Sequence, residues 1–252
     1  MCLVGIALNH FKDYPLVIVA NRDEYHARPT QSLHQWHDAP KIYAGRDQVA
    51  GGTWLGVSAE GRVAVLTNLR GHPMPCEDAP SRGDLVSGFL NAEMPAEEWL
   101  AQLMPRLADY AGFNLMVSDD GREFHLLSNA GDRSVLGRGV HAISNGRMAA
   151  TWPKTQGLKN ALAQCETASD VGGLLGMLED TQVAPDAALP VTGVGIELER
   201  MLAPRLIVGA EYGTRSSSIL RMSRQGDLEL WEFTRAVDGR VVSEQFFEIT
   251  VG

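Results

Sequence analysis

Cys2 lies one residue from the start of a 252-residue chain, so removal of Met1 would make it residue one. Its freed α-amine, with an ordinary pKa near 7.7–8.0, would be a general base built into the same residue as the thiol. Arg22 is the first group able to act on that thiol. Residues 2–8 and 16–20 are apolar and rich in β-branched side chains, the second run continuing into Asn21-Arg22-Asp23-Glu24, and a short polar link from Asn9 to Pro15 joins them, which predicts a β-hairpin. With the turn centred near Lys12, residue numbers across the ladder sum to roughly 24, placing Cys2 opposite Arg22 to within one register step. A guanidinium beside a thiol favours the thiolate. Strand alternation sends the next residue, Asp23, to the other face unless the strand ends or bulges there. Acyl transfer also needs donors aimed at a developing oxyanion, and Asn68 and Asn145 each close a predicted strand.

The elements that must position these residues follow from pattern and punctuation. From Glu24 to about Ala50 the chain is polar, with Arg28-Pro29-Thr30, Trp36 and the histidines 26, 34 and 37, and it reads as one long loop wrapped over a site. Gly51 to Val57 and Arg62 to Asn68 are strands around a turn, and a proline-rich loop (Pro73, Pro75, Pro80) follows. Ser81, with Asp84 as its capping-box partner, opens a helix whose apolar face is Leu85, Val86, Phe89 and Leu90. A second helix spans Ala96 to Asp109, with a break at Pro105. Strands are expected at Phe113 to Val117, Glu123 to Ser128 and Val140 to Asn145. Helices follow at Lys154 to Glu166 and at Ser169 to Asp180, the latter capped by Ser169, and then an irregular connection, Thr181 to Gly195. Three antiparallel strands end the chain, Gly213 to Met222, Leu228 to Ala236 and Val241 to Val251. This order predicts an α+β fold, a four-layer αββα sandwich of two antiparallel sheets with helices outside, as one domain over residues 1–252.

Composition narrows the function. The net charge is −9 with no Lys/Arg run, which argues against a nucleic-acid binder. No segment approaches the ~18 apolar residues of a membrane span. Three cysteines, Cys2, Cys76 and Cys165, fit neither a disulfide framework nor a zinc spacing, and point to a reducing, cytoplasmic setting. Cys165 sits at core spacing on its helix and Cys76 among prolines. His34 and His37 have no carboxylate or cysteine at ligand spacing, so no metal is expected. Structural roles compete throughout: Arg22 and Asp23 as an ion pair, the asparagines as turn residues, and Arg215 as an anchor for a loop carbonyl.

Met1-Cys2, Asn21-Arg22-Asp23-Glu24, Gly51-Gly52-Thr53-Trp54-Leu55-Gly56, Thr67-Asn68-Leu69-Arg70, Gly112-Phe113-Asn114-Leu115, Ser144-Asn145 and Gly213-Thr214-Arg215-Ser216-Ser217 occur in order. Together they resemble the NRDE family, also called the transport and Golgi organisation family, over nearly the whole chain. The resemblance implies an N-terminal-nucleophile fold similar to bile-salt hydrolases and penicillin V acylases. It implies catalytic roles for Cys2, Arg22, Asp23, Asn68, Asn145 and Arg215, with Asn21, Thr53 and Trp54 at a substrate pocket. One departure is that Arg22 and Asp23 are adjacent here, whereas in those hydrolases the arginine and aspartate are separated in sequence. The activity implied is hydrolysis or acyl transfer at a linear amide, with no cofactor required. The alternative is a non-catalytic cleft that binds and traffics haem, or holds a lipid or acyl-CoA. No Cys-x-x-Cys-His motif supports covalent haem, and no axial ligand stands out among seven histidines and nine methionines.

Overall fold

A computed structural model describes residues 2–72, 76 and 78–251, with Cys2 described by its backbone. Met1, whose removal the nucleophile reading requires, and Pro73 and Pro75 of the expected proline-rich loop lie outside the described residues. The first sheet contains β1 (Cys2–Leu8), β2 (Leu16–Tyr25), β10 (Gly139–Ile143), β11 (Tyr212–Met222), β12 (Leu228–Arg235) and β13 (Val241–Ile249), in the order β10-β1-β2-β11-β12-β13. The second is a meander in chain order: β3 (Thr30–Gln35), β4 (Ile42–Asp47), β5 (Leu55–Ser58), β6 (Val63–Asn68), β7 (Phe113–Ser118), β8 (Phe124–Ser128) and β9 (Arg133–Leu136). All pairings are antiparallel.

Three apolar layers give the expected αββα order. Between the sheets, Val4, Ile6, Ile18 and Ala20 meet Trp54, Val63, Val65 and Phe124. Helices α1 (Gly83–Asn91) and α2 (Ala96–Leu103) cover the meander, burying Leu85, Val86, Phe89, Leu90 and Leu100 against Leu66, Phe113 and Leu115. Helices α3 (Pro153–Gln164) and α4 (Val171–Gly176) cover the first sheet through Leu158, Leu162 and Leu174 against Leu3, Val17 and Val19. A short α5 (Ile196–Met201) lies just after the stretch expected to be irregular. No helix among the described residues is long and apolar enough to cross a membrane.

Several local expectations change. The polar stretch from 24 to 50 is not one loop but the β3–β4 hairpin. Its outer strand buries Leu33 alone, so no two-residue apolar period betrays it. Ser81 accepts the Gly83 N–H at 3.2 Å, but the N-cap residue of α1 is Arg82, without a side-chain cap. The helix start is set instead by docking. Thr53 N–H bonds the Gly83 carbonyl at 3.3 Å, and a Cβ on Gly52 would lie 2.4 Å from the Gly83 carbonyl carbon. The second helix does break near Pro105, continuing as a 3-10 turn over Met104–Asp109. Helix α4 is shorter than expected and lacks a Ser169 cap; Gly172, Gly173 and Gly176 weaken it. Strand β9 gave no sequence signal.

One buried carboxyl ties the sheets together. Glu232 on β12 is 4% exposed, and its Oε1 accepts the Leu33 N–H of β3 at 2.9 Å. Burial pushes its pKa up to about 7, against the opposing pull of that N–H and of Arg22. The native state therefore keeps a proton that an unfolded glutamate, at an ordinary 4.5, releases. Stability falls as pH rises between those two values and is level above. Glu232→Gln is expected to remove this slope, worth at most on the order of 3 kcal/mol. Urea unfolding of both proteins from about pH 5 to pH 8 checks it, and an equally steep decline in the variant refutes it.

Candidate active site

Strand β2 sorts its polar residues by parity. Cys2 pairs with Arg22, and the ladder runs in the expected register to Leu8 opposite Leu16. Even-numbered β2 side chains face the inter-sheet core and odd-numbered ones face α3 and α4. Arg22, 5% exposed, continues the inter-sheet face. Its guanidinium lies 4.3 Å from the centre of the Trp54 ring, donates to the Thr30 hydroxyl at 3.2 Å and meets Asp47 at 3.4 Å.

Asp23, the next residue and also buried, accepts the Thr214 hydroxyl at 2.7 Å and, with Arg22, lines the larger of two cavities. Burial raises its pKa, opposed chiefly by Lys154 and then by Thr214 and Arg70. Asn21 does not reach the pocket. Its amide donates to the carbonyls of Leu178 at 3.0 Å and Arg205 at 2.7 Å, and its Oδ1 accepts the Ser217 hydroxyl at 2.6 Å. Every polar atom of that side chain serves the helix-facing side of the sheet.

At the end of the inter-sheet layer lies a cavity of about 690 Å³, lined by Arg22, Arg28, Asp47, Thr53, Trp54 and Asn68 among others. Glu24, Arg28, Asn68 and Arg82 also border a second, more apolar cavity of about 610 Å³, which continues past Tyr25, Tyr212, Leu198 and Met201. The two asparagines come together, but through the backbone: Asn145 Nδ2 donates to the Asn68 carbonyl at 2.9 Å. The Arg70 N–H in turn bonds the Asn145 carbonyl at 2.8 Å. Asn145 is thus a clamp on the strand end that presents Asn68 to both cavities. Arg70, buried, pairs with buried Glu199 of α5.

Arg215 is elsewhere. It is the extra residue of a β-bulge in β11, where Thr214 pairs with Asp23 and Ser216 with Arg22. Its Nη1 donates to the carbonyls of Tyr25 at 2.9 Å, His26 at 3.1 Å and Arg28 at 3.2 Å, and it lines neither cavity. Burial, then repulsion from Arg22, lowers its pKa.

Arg28, Asp47, Glu24 and Arg82 are cavity residues that sequence reasoning passed over. Arg28 Nε donates to Asp47 Oδ2 at 2.6 Å, while Asp47 Oδ1 accepts the Val49 and Ala50 N–H groups at 2.9 and 3.0 Å. Burial raises the Asp47 pKa, but Arg28 and those two N–H groups more than offset it, and the carboxyl ends below the usual range. The density of charge after Glu24 was the available signal. Reading that segment as a loop hid the cross-strand pairing that gives it meaning.

Two variants test the clamps. Asn145→Ala leaves the Asn68 carbonyl without its side-chain donor and is expected to cost about 1–3 kcal/mol in urea unfolding. Arg215→Met is expected to speed amide hydrogen exchange across residues 25–30; unchanged exchange there sinks the anchoring role.

The family model described as Transport and Golgi organisation 2 matches residues 1–236. The chain is 31% identical over 240 residues to the mouse Transport and Golgi organization 2 homolog, covering 87% of this chain and 86% of that one. It is 30% identical over 239 residues to the human homolog, with the same coverage. Among solved structures, a Caenorhabditis elegans N-acylethanolamine-hydrolyzing acid amidase ortholog superposes with a TM-score of 0.52 at 7% identity, covering 87% of this chain and 92% of that one. Penicillin V acylase from Agrobacterium tumefaciens superposes at 0.51 and 10% identity, covering 91% and 82%. These two likenesses show the fold, that of the N-terminal-nucleophile hydrolases. The match along nearly the whole sequence shows more: the chain belongs to the Transport and Golgi organisation 2 family.

Proposed function

We propose that this protein is an N-terminal-cysteine amidohydrolase or acyltransferase acting on a linear amide. The observation that carries the reading is the ladder pairing of Cys2 with Arg22, a buried cation in the wall of the larger cavity. In this reading Met1 is removed, and the Cys2 α-amine takes the thiol proton as sulfur attacks the amide carbon. The Asn68 amide, at the rim of both cavities, donates to the tetrahedral oxyanion. Asn145 holds the Asn68 backbone in place. Collapse breaks the carbon–nitrogen bond, the leaving amine takes the proton from the α-ammonium, and water or an acceptor amine resolves the thioester. Arg22 favours the thiolate. Asp23, which lines the larger cavity and accepts the Thr214 hydroxyl, joins β2 to β11 beside the bulge and serves as a positioning group. Thr53 and Trp54 form the cavity wall.

Intact-mass analysis with limiting iodoacetamide tests this. The mature chain is expected to lack Met1, and Cys2 to be alkylated near neutral pH roughly tenfold or more faster than the exposed Cys76. Retained Met1 together with an inert Cys2 ends the reading.

A further inference from the structure

Arg215, implied by resemblance as the cation that positions a substrate carboxylate, is spent on three backbone carbonyls. Arg28, unlike Arg215, reaches the cleft. It borders both cavities, its side chain is 34% exposed, and its Nε is held by Asp47 at 2.6 Å. Asp47 is itself pinned by the Val49 and Ala50 N–H groups, so the guanidinium has a fixed stem. No described protein group takes a hydrogen bond from Nη1 or Nη2 of Arg28. These two nitrogens form the fork that matches a planar carboxylate or a sulfonate.

The cleft wall carries both signs, with Arg22, Arg28 and Arg82 among Asp23, Glu24, Asp47 and Asp84, so it is the unengaged fork of Arg28 that singles out an anion. Arg22 and Arg28 share the carboxylate of Asp47. Arg215 stands close enough to Arg22 to be repelled by it. Glu24 offsets one charge at the rim, where its Oε1 is engaged by the Tyr25 N–H at 2.9 Å. Beyond Arg28 the surface turns apolar, with Tyr25 and Tyr212 edge to face at 5.2 Å and Leu198 and Met201 of α5 opposite.

We propose that Arg28 is the specificity-determining residue of this cleft: it binds a carboxylate or sulfonate of the ligand at the junction of the two cavities, with the ligand's apolar part lying along the Tyr25–Met201 groove. This rests on the cleft being the ligand site, but not on Cys2 being reactive.

The test compares dansylglycine with dansylamide, the same fluorophore with and without a carboxylate, on the full-length protein. Wild type is expected to bind dansylglycine roughly tenfold or more tightly than dansylamide. Arg28→Gln is expected to abolish the preference, Arg28→Lys to keep part of it, and Arg106→Gln, a distant surface change, to keep all of it. Equal affinities in wild type overturn the proposal whether or not any variant folds. So does a preference that survives in Arg28→Gln, or dansylglycine binding too weak to saturate by about 1 mM. Cys2→Ala separates the two readings, because it is expected to leave the preference intact while removing fast alkylation. An inert Cys2 with an Arg28-dependent preference therefore ends the hydrolase reading alone.

Discussion

Strand β2 is hydrogen-bonded on both edges, to β1 and to β11, so its register cannot slide without breaking two ladders. A slip of one residue would turn Ile18 and Ala20 out of the inter-sheet core and drive Val17 and Val19 into it. That constraint holds Arg22 in the cavity wall and Asp23 against Thr214. It also explains how four consecutive polar residues can sit in the middle of a sheet. Asn21 is satisfied on the helix-facing side, Asp23 accepts the Thr214 hydroxyl, and Arg22 is engaged on the inter-sheet side. The apolar half of the strand, by its burial, aims the polar half.

Burying Arg22 costs solvation that its partners must return. Asp47, the Thr30 hydroxyl and the Trp54 ring each supply part of that, and the ring adds an attraction specific to cations. Buried ion pairs contribute little net stability compared with apolar packing, but they demand one geometry. Here the geometry is shared: Asp47 receives Arg22 from one sheet and Arg28 from the turn entering the other. The Arg70–Glu199 pair ties α5 to the end of β6 in the same way. Charge pairing thus fixes the positions of Arg22, Arg28 and Asp47 in the cleft wall.

The hairpin was legible because every signal agreed. β-branched runs, a polar link of fitting length and the two-residue period all gave the register that places Cys2 opposite Arg22. The layers were legible because Leu85, Val86, Phe89 and Leu90, and likewise Leu158 and Leu162, repeat at helical spacing. The β3–β4 hairpin was not, because an outer strand with one buried residue carries no periodic trace. Missing it concealed Arg28 and Asp47 as partners across 19 residues of polar chain. Arg215 was read as a site cation or a carbonyl anchor, and its three carbonyl bonds match the second description.

By itself the sequence determined the pairing of the first two strands, the sheet-and-helix layering, and which face each residue of β2 takes, since these depend on local period and on burial of apolar side chains. Only the tertiary structure decided which polar groups meet in the cleft. Asn21 is engaged by carbonyls 157 and 184 residues away, and Arg215 is turned from the cavity by one extra residue in β11. Hydrogen bonds and ion pairs are directional and short-ranged, so their partners are chosen by where the chain returns, and residue spacing does not encode that.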